Sequence, residues 1–272
     1  MNAAPAAPVN VGPATARRSV SLGRHLVVTV ATLLRTWSRD PGVVVQTVAF
    51  PAFMLLMFQL VLGKTVTAMG GGNSIYGNAG LVALVAAMYG TVATGISLID
   101  DRDSGLLTRT WSLPVPRAGF LAGRLSAEAV RTGLSTVVLF AVAVPLGFRF
   151  QHGLLAGLVA IAVPMVFAVG IAVLVVAVAT VAVRQTLQQL AGLFLLLLFF
   201  NVGFVPITEY PGWLQPVVRH QPMSPAIEAM RGLTEGGAVA APLLETVAWT
   251  IGLVAVSGPV AMRGYRRAAE GR

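Results

Sequence analysis

Apolar residues run through this chain in long stretches, separated by short polar segments. Val43 to Leu62 is uncharged for about 20 residues, which as a helix spans roughly 30 Å, the thickness of a bilayer's hydrocarbon core. Similar stretches at about 79–99, 125–146, 154–183, 190–205 and 242–262 predict five further membrane-spanning helices. The fourth is about ten residues longer than a crossing needs, so a tilt, or a bend at Pro164 or Gly170, is expected. In the first, Pro51 should bend the helix, and Gln46 and Gln59 need partners inside the bundle rather than lipid. Ala83, Ala87, Thr91 and Gly95 recur every four residues in the second. This seam of small side chains favours close packing of another helix over a substrate groove.

The intervening segments differ in kind. Residues 1–21 are rich in Ala and Pro, carry Arg17 and Arg18, and read as a disordered tail. From Leu22 to Trp37 the period becomes helical. Leu22, Leu26, Val30, Leu33 and Trp37 share one face and Arg24 and Arg35 lie opposite, the pattern of an interfacial amphipathic helix. Lys64 to Asn78, with Gly70 to Gly72, reads as an outer loop. Asp100 to Arg117 is a charged connector, too polar to enter a bilayer and too short for a domain. Asp103 to Trp111 predicts a small helix in it, presenting Leu106, Leu107 and Trp111 between Arg102, Arg109 and the acids, and Pro114 and Pro116 stop it. Such a segment looks built to be gripped by another protein. Glu128 and Arg131 can pair at i, i+3 near the interface, with Arg131 snorkelling to water. Pro206 to Ala241 has too many prolines and charges to cross, and reads as a short helical hairpin dipping into the outer leaflet. Ser224 and Pro225 should start its second helix and Gly232 or Gly236 end it. Residues 263–272 form a basic tail.

The fold class is therefore all-α and polytopic. It has six transmembrane helices, an N-terminal amphipathic helix, a cytoplasmic coupling helix and a short outer hairpin before the last span; residues 22–262 form the membrane domain. Composition agrees, since 56% of the 272 residues are hydrophobic and only 11% charged, which no single soluble core could hide. The net charge of +9 would point to nucleic acid in a soluble protein, but here it follows from basic residues in cytoplasmic loops. With six spans and both termini inside, fifteen of the nineteen basic residues are cytoplasmic, leaving Lys64, Arg149, Arg219 and Arg231 outside. The absence of cysteine excludes disulfides and thiolate metal sites.

Candidate chemistry is sparse. Gly63-Lys64-Thr65 mimics the end of a phosphate-binding loop, but Phe58 stands where its first glycine is required, and the site faces outward. Asp100, Asp101, Asp103, Gly105 and Arg109 superficially resemble a metal-dependent lipid synthase. That chemistry needs acids on two successive turns, and none occurs between Asp103 and Glu128. His25, His152 and His220 lie in separate segments, so no metal site and no catalytic residue is expected. Carriers powered by ions place ionisable residues or broken helices near the bilayer centre, and the spans lack them at mid-depth. The energy must come from elsewhere, which favours a permease subunit driven by a separate ATPase. A self-powered carrier or channel, and a membrane-embedded lipid-modifying enzyme, are the alternatives.

Gly105-Leu106-Leu107, Arg109, Trp111, Leu113-Pro114-Val115 and Arg117 in the connector, and Gly147-Phe148-Arg149-Phe150 after the third span, carry a family resemblance. Val205-Pro206, Tyr210-Pro211-Gly212-Trp213, His220-Gln221-Pro222, Ala229-Met230-Arg231-Gly232 and Gly264-Tyr265-Arg266-Arg267-Ala268 continue it. Their order and spacing together resemble a type-2 ABC exporter permease of the daunorubicin-resistance kind, most closely the mycobacterial permeases for dimycocerosate lipids. The family often has Glu near the start of the connector, where Asp101 to Asp103 stand here. The resemblance implies a complex of two permeases, identical or homologous, with two ATPase subunits that bind ATP and Mg. It also implies export of a lipid or drug from the cytoplasmic membrane. Asp101, Arg102, Asp103, Gly105, Leu106, Leu107, Arg109, Trp111, Pro114 and Arg117 are the residues expected to couple to the ATPase. For the cargo, the expectation is a bulky apolar molecule entering sideways between two permeases. Phe50, Met54, Met57, Phe194 and Phe199 would line its path, with Asn201 the one polar residue of its span. The alternative is that these residues pack or face lipid.

Overall fold

The computed structural model describes residues 22–68, 74–107, 117–203 and 205–269. The expected tail at 1–21, the glycine run at 70–72, the second half of the predicted coupling helix (108–111) with Pro114, and the last three residues lie outside the described residues. Among the described residues every regular element is helical.

Helix α1 (Leu22–Arg39) packs along α5 (Arg117–Ala143) through the half-buried side chains Val30, Leu33 and Trp37, three of the five residues on the predicted apolar face. Asp40 then breaks the chain. Its carboxylate accepts from the amides of Gly42 (2.8 Å) and Val43 (3.4 Å), and Pro41 occupies the first turn of α2 (Pro41–Val44), so Asp-Pro-Gly ends one helix and starts the next. A π-helical turn, Val45–Ala49, leads into α3 (Phe50–Ala68). Pro51 has no N–H to offer the carbonyl of Thr47, four residues back. The Ser135 hydroxyl of α5 donates to that carbonyl instead, at 2.8 Å. The expected irregularity is therefore a widened turn just before the proline, inside a continuous helix.

The predicted loop from Lys64 to Asn78 is mostly helix. Helix α3 continues to Ala68 and α4 (Ser74–Asp103) starts five residues earlier than Ala79. Neither glycine nor proline lies between Lys64 and Ala68 to break a helix. Helix α6 (Gly153–Val181) stays unbroken through Pro164. Helices α4 and α6 form the centre of the bundle, and α3 and α10 (Ala240–Ala269) are its outermost members. The small-residue seam of α4 packs as expected: Ala83, Ala87, Thr91 and Gly95 are buried. A Cβ on Gly95 would collide with Val175 of α6 and lie 3.1 Å from Leu187 of α7 (Arg184–Phe199).

Among the described residues five helices are long and apolar enough to cross a bilayer, at Pro41–Val61, Ile75–Asp103, Leu121–Leu146, Gly153–Val181 and Ala240–Arg267. The fifth predicted span differs. Arg184 to Gln189, between the fourth and fifth predicted spans, is the start of α7, and α7 ends at Phe199 after 16 residues, roughly 24 Å of helix. Asn201 stops it. Its amide donates to the carbonyls of Leu197 (3.2 Å) and Leu198, and its oxygen accepts from the Gly203 amide at 2.7 Å, which satisfies carbonyls a longer helix would have used itself.

The hairpin forms, and its second helix is drawn into the bundle while Trp213 and Val217 on the first arm stay exposed. Helices α8 (Gln215–His220) and α9 (Met223–Thr234) turn at Gln221-Pro222, and ten of the twelve residues of α9 are buried against α4, α6 and α10. Pro222, rather than Ser224, precedes the helix, because Ser224 is held inside the first turn by the Gln221 amide (3.2 Å). The helix ends at Thr234, two residues before Gly236 and Gly237, whose φ angles of 113° and 131° suit only glycine.

Candidate functional site: the ionic hub where α4 ends

Helix α4 does not stop where the bilayer would; it runs on to Asp103, so the first part of the connector is its last turn. Consecutive helical residues fan out by about 100°. Asp100, Asp101 and Arg102 therefore reach three different neighbours. Asp100 pairs with Arg184 at the start of α7. Asp101 meets Arg124 of α5 at 3.3 Å. Arg102 donates to the carbonyls of Ala179 (3.1 Å) and Ala182 (3.0 Å), capping the C-terminal end of α6. One turn of helix thus fixes the relative positions of four.

The network continues inward along α5. Arg124 also donates to the Thr94 carbonyl at 2.9 Å, and the Thr94 hydroxyl donates to Glu128 at 3.0 Å. Glu128 is 1% exposed and pairs with Arg131 at 5%, so the predicted i, i+3 pair forms but is sealed inside the bundle. The expected snorkelling does not occur, because α1, the π turn and α4 close over the guanidinium. Trp37 lies 6.0 Å from it, the Thr47 hydroxyl accepts from it at 3.3 Å, and Gly90 leaves the space it occupies, since a Cβ there would collide with Arg131. A continuous polar path therefore joins α1 to the end of α4. Arg124, Thr94, Thr47, Gly90 and Arg184 were not singled out by the sequence reading. The available signal was Arg124, Glu128, Arg131 and Ser135 at spacings of four, three and four, a polar stripe on one face of an otherwise apolar helix.

Beyond this hub the chain turns at Ser104-Gly105, where Gly105 takes φ 73°, and helical backbone resumes at Leu106 and Leu107. The predicted helix therefore does not begin at Asp103, which belongs to α4. Leu107 is buried in the core of the chain, whereas Leu106 is 47% exposed, as is Asp103 in large part. Arg109, Trp111 and Pro114 lie outside the described residues, and Arg117 opens α5.

The residues proposed for a cargo path are not gathered within one chain. Phe50, Met54 and Met57 lie on α3 and Phe194 and Phe199 on α7, and these helices flank α4 separately. Phe50, Met57 and Phe199 are exposed, Met54 is packed against the core, and Phe194 is buried. Asn201 is wholly buried in its capping role.

The other end of the bundle is tied without buried ion pairs among the described residues. Phe140 and Phe148 stack at 5.0 Å, Phe150 meets both edge-on at 5.4 and 5.1 Å, and Tyr76 lies 5.0 Å from Phe148. His220 contacts Glu245 at 2.8 Å, and the Trp249 indole donates to the His220 carbonyl at 2.9 Å, which clamps the hairpin to α10. Burial pushes the Glu228 carboxyl above the usual carboxylate range, against the pull of Arg219 and Arg231.

Residues 25–234 match the family model described as ABC-2 type transporter. The chain is 38% identical over 238 residues to "Probable doxorubicin resistance ABC transporter permease protein DrrC" of Mycobacterium tuberculosis, covering 87% of this chain and 86% of that protein. It is 31% identical over 247 residues to "Daunorubicin resistance ABC transporter permease protein DrrB1" of Streptomyces coeruleorubidus, with the same shares covered. With several apolar helices of membrane-crossing length and this match over most of its length, the chain belongs to the ABC-2 type transporter family as a multi-pass membrane permease.

Proposed function

We propose that this permease exports a hydrophobic molecule, a dimycocerosate-like lipid or an apolar drug, from the cytoplasmic membrane, and that ATP hydrolysis in separate subunits drives it. Two ATPase copies bind ATP and Mg and grip the segment that follows α4, around Leu106 and Arg109. A second permease, identical or homologous, completes the complex. The observation that carries this reading is the fan of Asp100, Asp101 and Arg102. A force applied just beyond Asp103 acts directly on α5, α6 and α7, so nucleotide-driven motion has a rigid route into the bundle. The drug-resistance names of the two relatives favour an apolar, bulky cargo, and a path between two permeases would use α3 and α7, on which Phe50, Met57 and Phe199 are exposed.

In this reading both termini and the connector are cytoplasmic and there are six crossings, α7 being the short one. The arginine asymmetry supports that orientation. Everted vesicles carrying the permease with its ATPase should accumulate doxorubicin only when ATP is supplied; accumulation driven by a proton gradient alone would overturn the proposal. Lipid profiles of a deletion strain separate a lipid cargo from a drug. Gly71→Cys, in a chain with no native cysteine, should label only from outside.

A further inference from the structure

At the end of the bundle away from the ionic hub, α5 and α6 part to leave a groove of about 520 Å³, within the roughly 300–1,000 Å³ of built ligand sites. Every lining residue is apolar. Val137 and Val144 form one wall, Leu154 and Leu158 the other, and the Phe150 ring lies between them. The groove is preformed. The ring rests on Gly157, where a Cβ would stand only 3.0 Å from it, and it packs edge-on against Phe140 and Phe148 at 5.4 and 5.1 Å. The turn that carries Phe150 is pinned from both sides. Gln151 donates from its amide nitrogen to the Thr234 carbonyl (3.3 Å) and from its side chain to the Tyr76 hydroxyl (3.2 Å), which itself donates to the Arg149 carbonyl (3.3 Å).

Two further observations specify an occupant. From Val137 to Val144 along α5, and from Gly153 to Ile161 along α6, the groove runs roughly 10–12 Å, close to the hydrocarbon depth of one leaflet, about 15 Å. At its rim sits Arg149. One of its terminal nitrogens donates to the carbonyls of Val144 (2.9 Å) and Phe148 (3.0 Å), which fixes the guanidinium beside a residue of the wall. No carboxylate pairs with it among the described residues, and the residue is exposed. An apolar slot that spans most of one leaflet's depth, under a fixed and uncompensated cation, has the chemistry of an anionic lipid.

We infer that the α5–α6 groove is a specific binding site for one anionic phospholipid. An acyl chain lies in the slot and the phosphate on Arg149, in the leaflet that is outer under the orientation proposed above. Transport need not pass through it, and the site stands or falls independently of the cargo. The test is native mass spectrometry of the purified permease, loaded in detergent with phosphatidylglycerol or with phosphatidylcholine of identical chains. The wild type should retain one phosphatidylglycerol per chain in preference to phosphatidylcholine. Ala141→Trp fills the slot from an exposed lining position, so it should fold normally and lose the retained lipid. Arg149→Gln should weaken phosphatidylglycerol about two- to fivefold, as expected for one rim charge, and abolish the headgroup preference. Arg219→Gln, an exposed cation elsewhere on the same end, should change nothing. Equal retention of the two lipids by the wild type, or retention insensitive to both Ala141→Trp and Arg149→Gln, would mean ordinary bilayer solvation and overturn the site. So would cross-linking of Ala141→Cys to a protein neighbour in the membrane. Because no ATPase or cargo enters the measurement, its failure leaves the export reading intact.

Discussion

The two ends of α4 are held by different physics. At its last turn, Asp100, Asp101 and Arg102 bind three helices through charge, and the chain buries a second pair, Glu128 with Arg131, just inside. At its first turns, Tyr76 and Gly80 meet aromatic rings and the close-packed α9, with no buried ion pair among the described residues. Charged contacts are directional and costly to leave half-made, so they hold helices at fixed relative positions. Aromatic and backbone contacts hold shape while leaving neighbouring surface apolar.

Substitutions at the two ends should separate these roles. The largest effect is expected for Arg131→Met, which strands a buried carboxylate and should cost about 3–5 kcal/mol in thermal unfolding; pairing it with Glu128→Leu should restore most of that loss. An unchanged unfolding temperature in the single variant would mean that the ionic end is not stitched by this pair. At the aromatic end, Phe148→Ala opens a cavity at a fully buried ring and should cost about 3 kcal/mol, independently of salt.

Function should separate from stability at the connector. Leu106→Asp should leave folding nearly unchanged and weaken ATPase binding by about 30-fold, about 2 kcal/mol, whereas Leu107→Asp should destabilise the permease itself because Leu107 is part of its core. Co-purification of the ATPase with a folded Leu106→Asp variant at wild-type yield, with normal export, would count against the docking role. Arg184→Gln breaks an exposed pair and should cost under about 1 kcal/mol, less at high salt.

The smallest effect has the opposite sign. Since burial raises the folded-state pKa of Glu228, the folded chain holds its proton to higher pH than the unfolded chain. Stability therefore falls as pH rises from the usual carboxylate range through that raised value. Glu228→Gln should flatten this slope and slightly stabilise the protein at neutral pH. A slope unchanged in pH-dependent melting would show that Glu228 is solvated.

The sequence alone determined what depends on local chemistry and hydrophobic length. Uncharged runs long enough for a bilayer, the amphipathic pattern of α1 and the pairing of Glu128 with Arg131 were all legible there. Each follows from backbone propensity or helical spacing. The ABC-2 family was also legible, from the order of short motifs between the spans. The tertiary structure decided the rest. It placed Asp100, Asp101 and Arg102 against three helices distant in sequence and sealed Arg131 under Trp37 and over Gly90. It also drew α9 into the bundle instead of the lipid and stopped α7 with the Asn201 side chain. None of these follows from periodicity, because a helix's pattern says how much of its surface must be buried but not which neighbour will bury it. Nor does it say which polar groups that neighbour will bring.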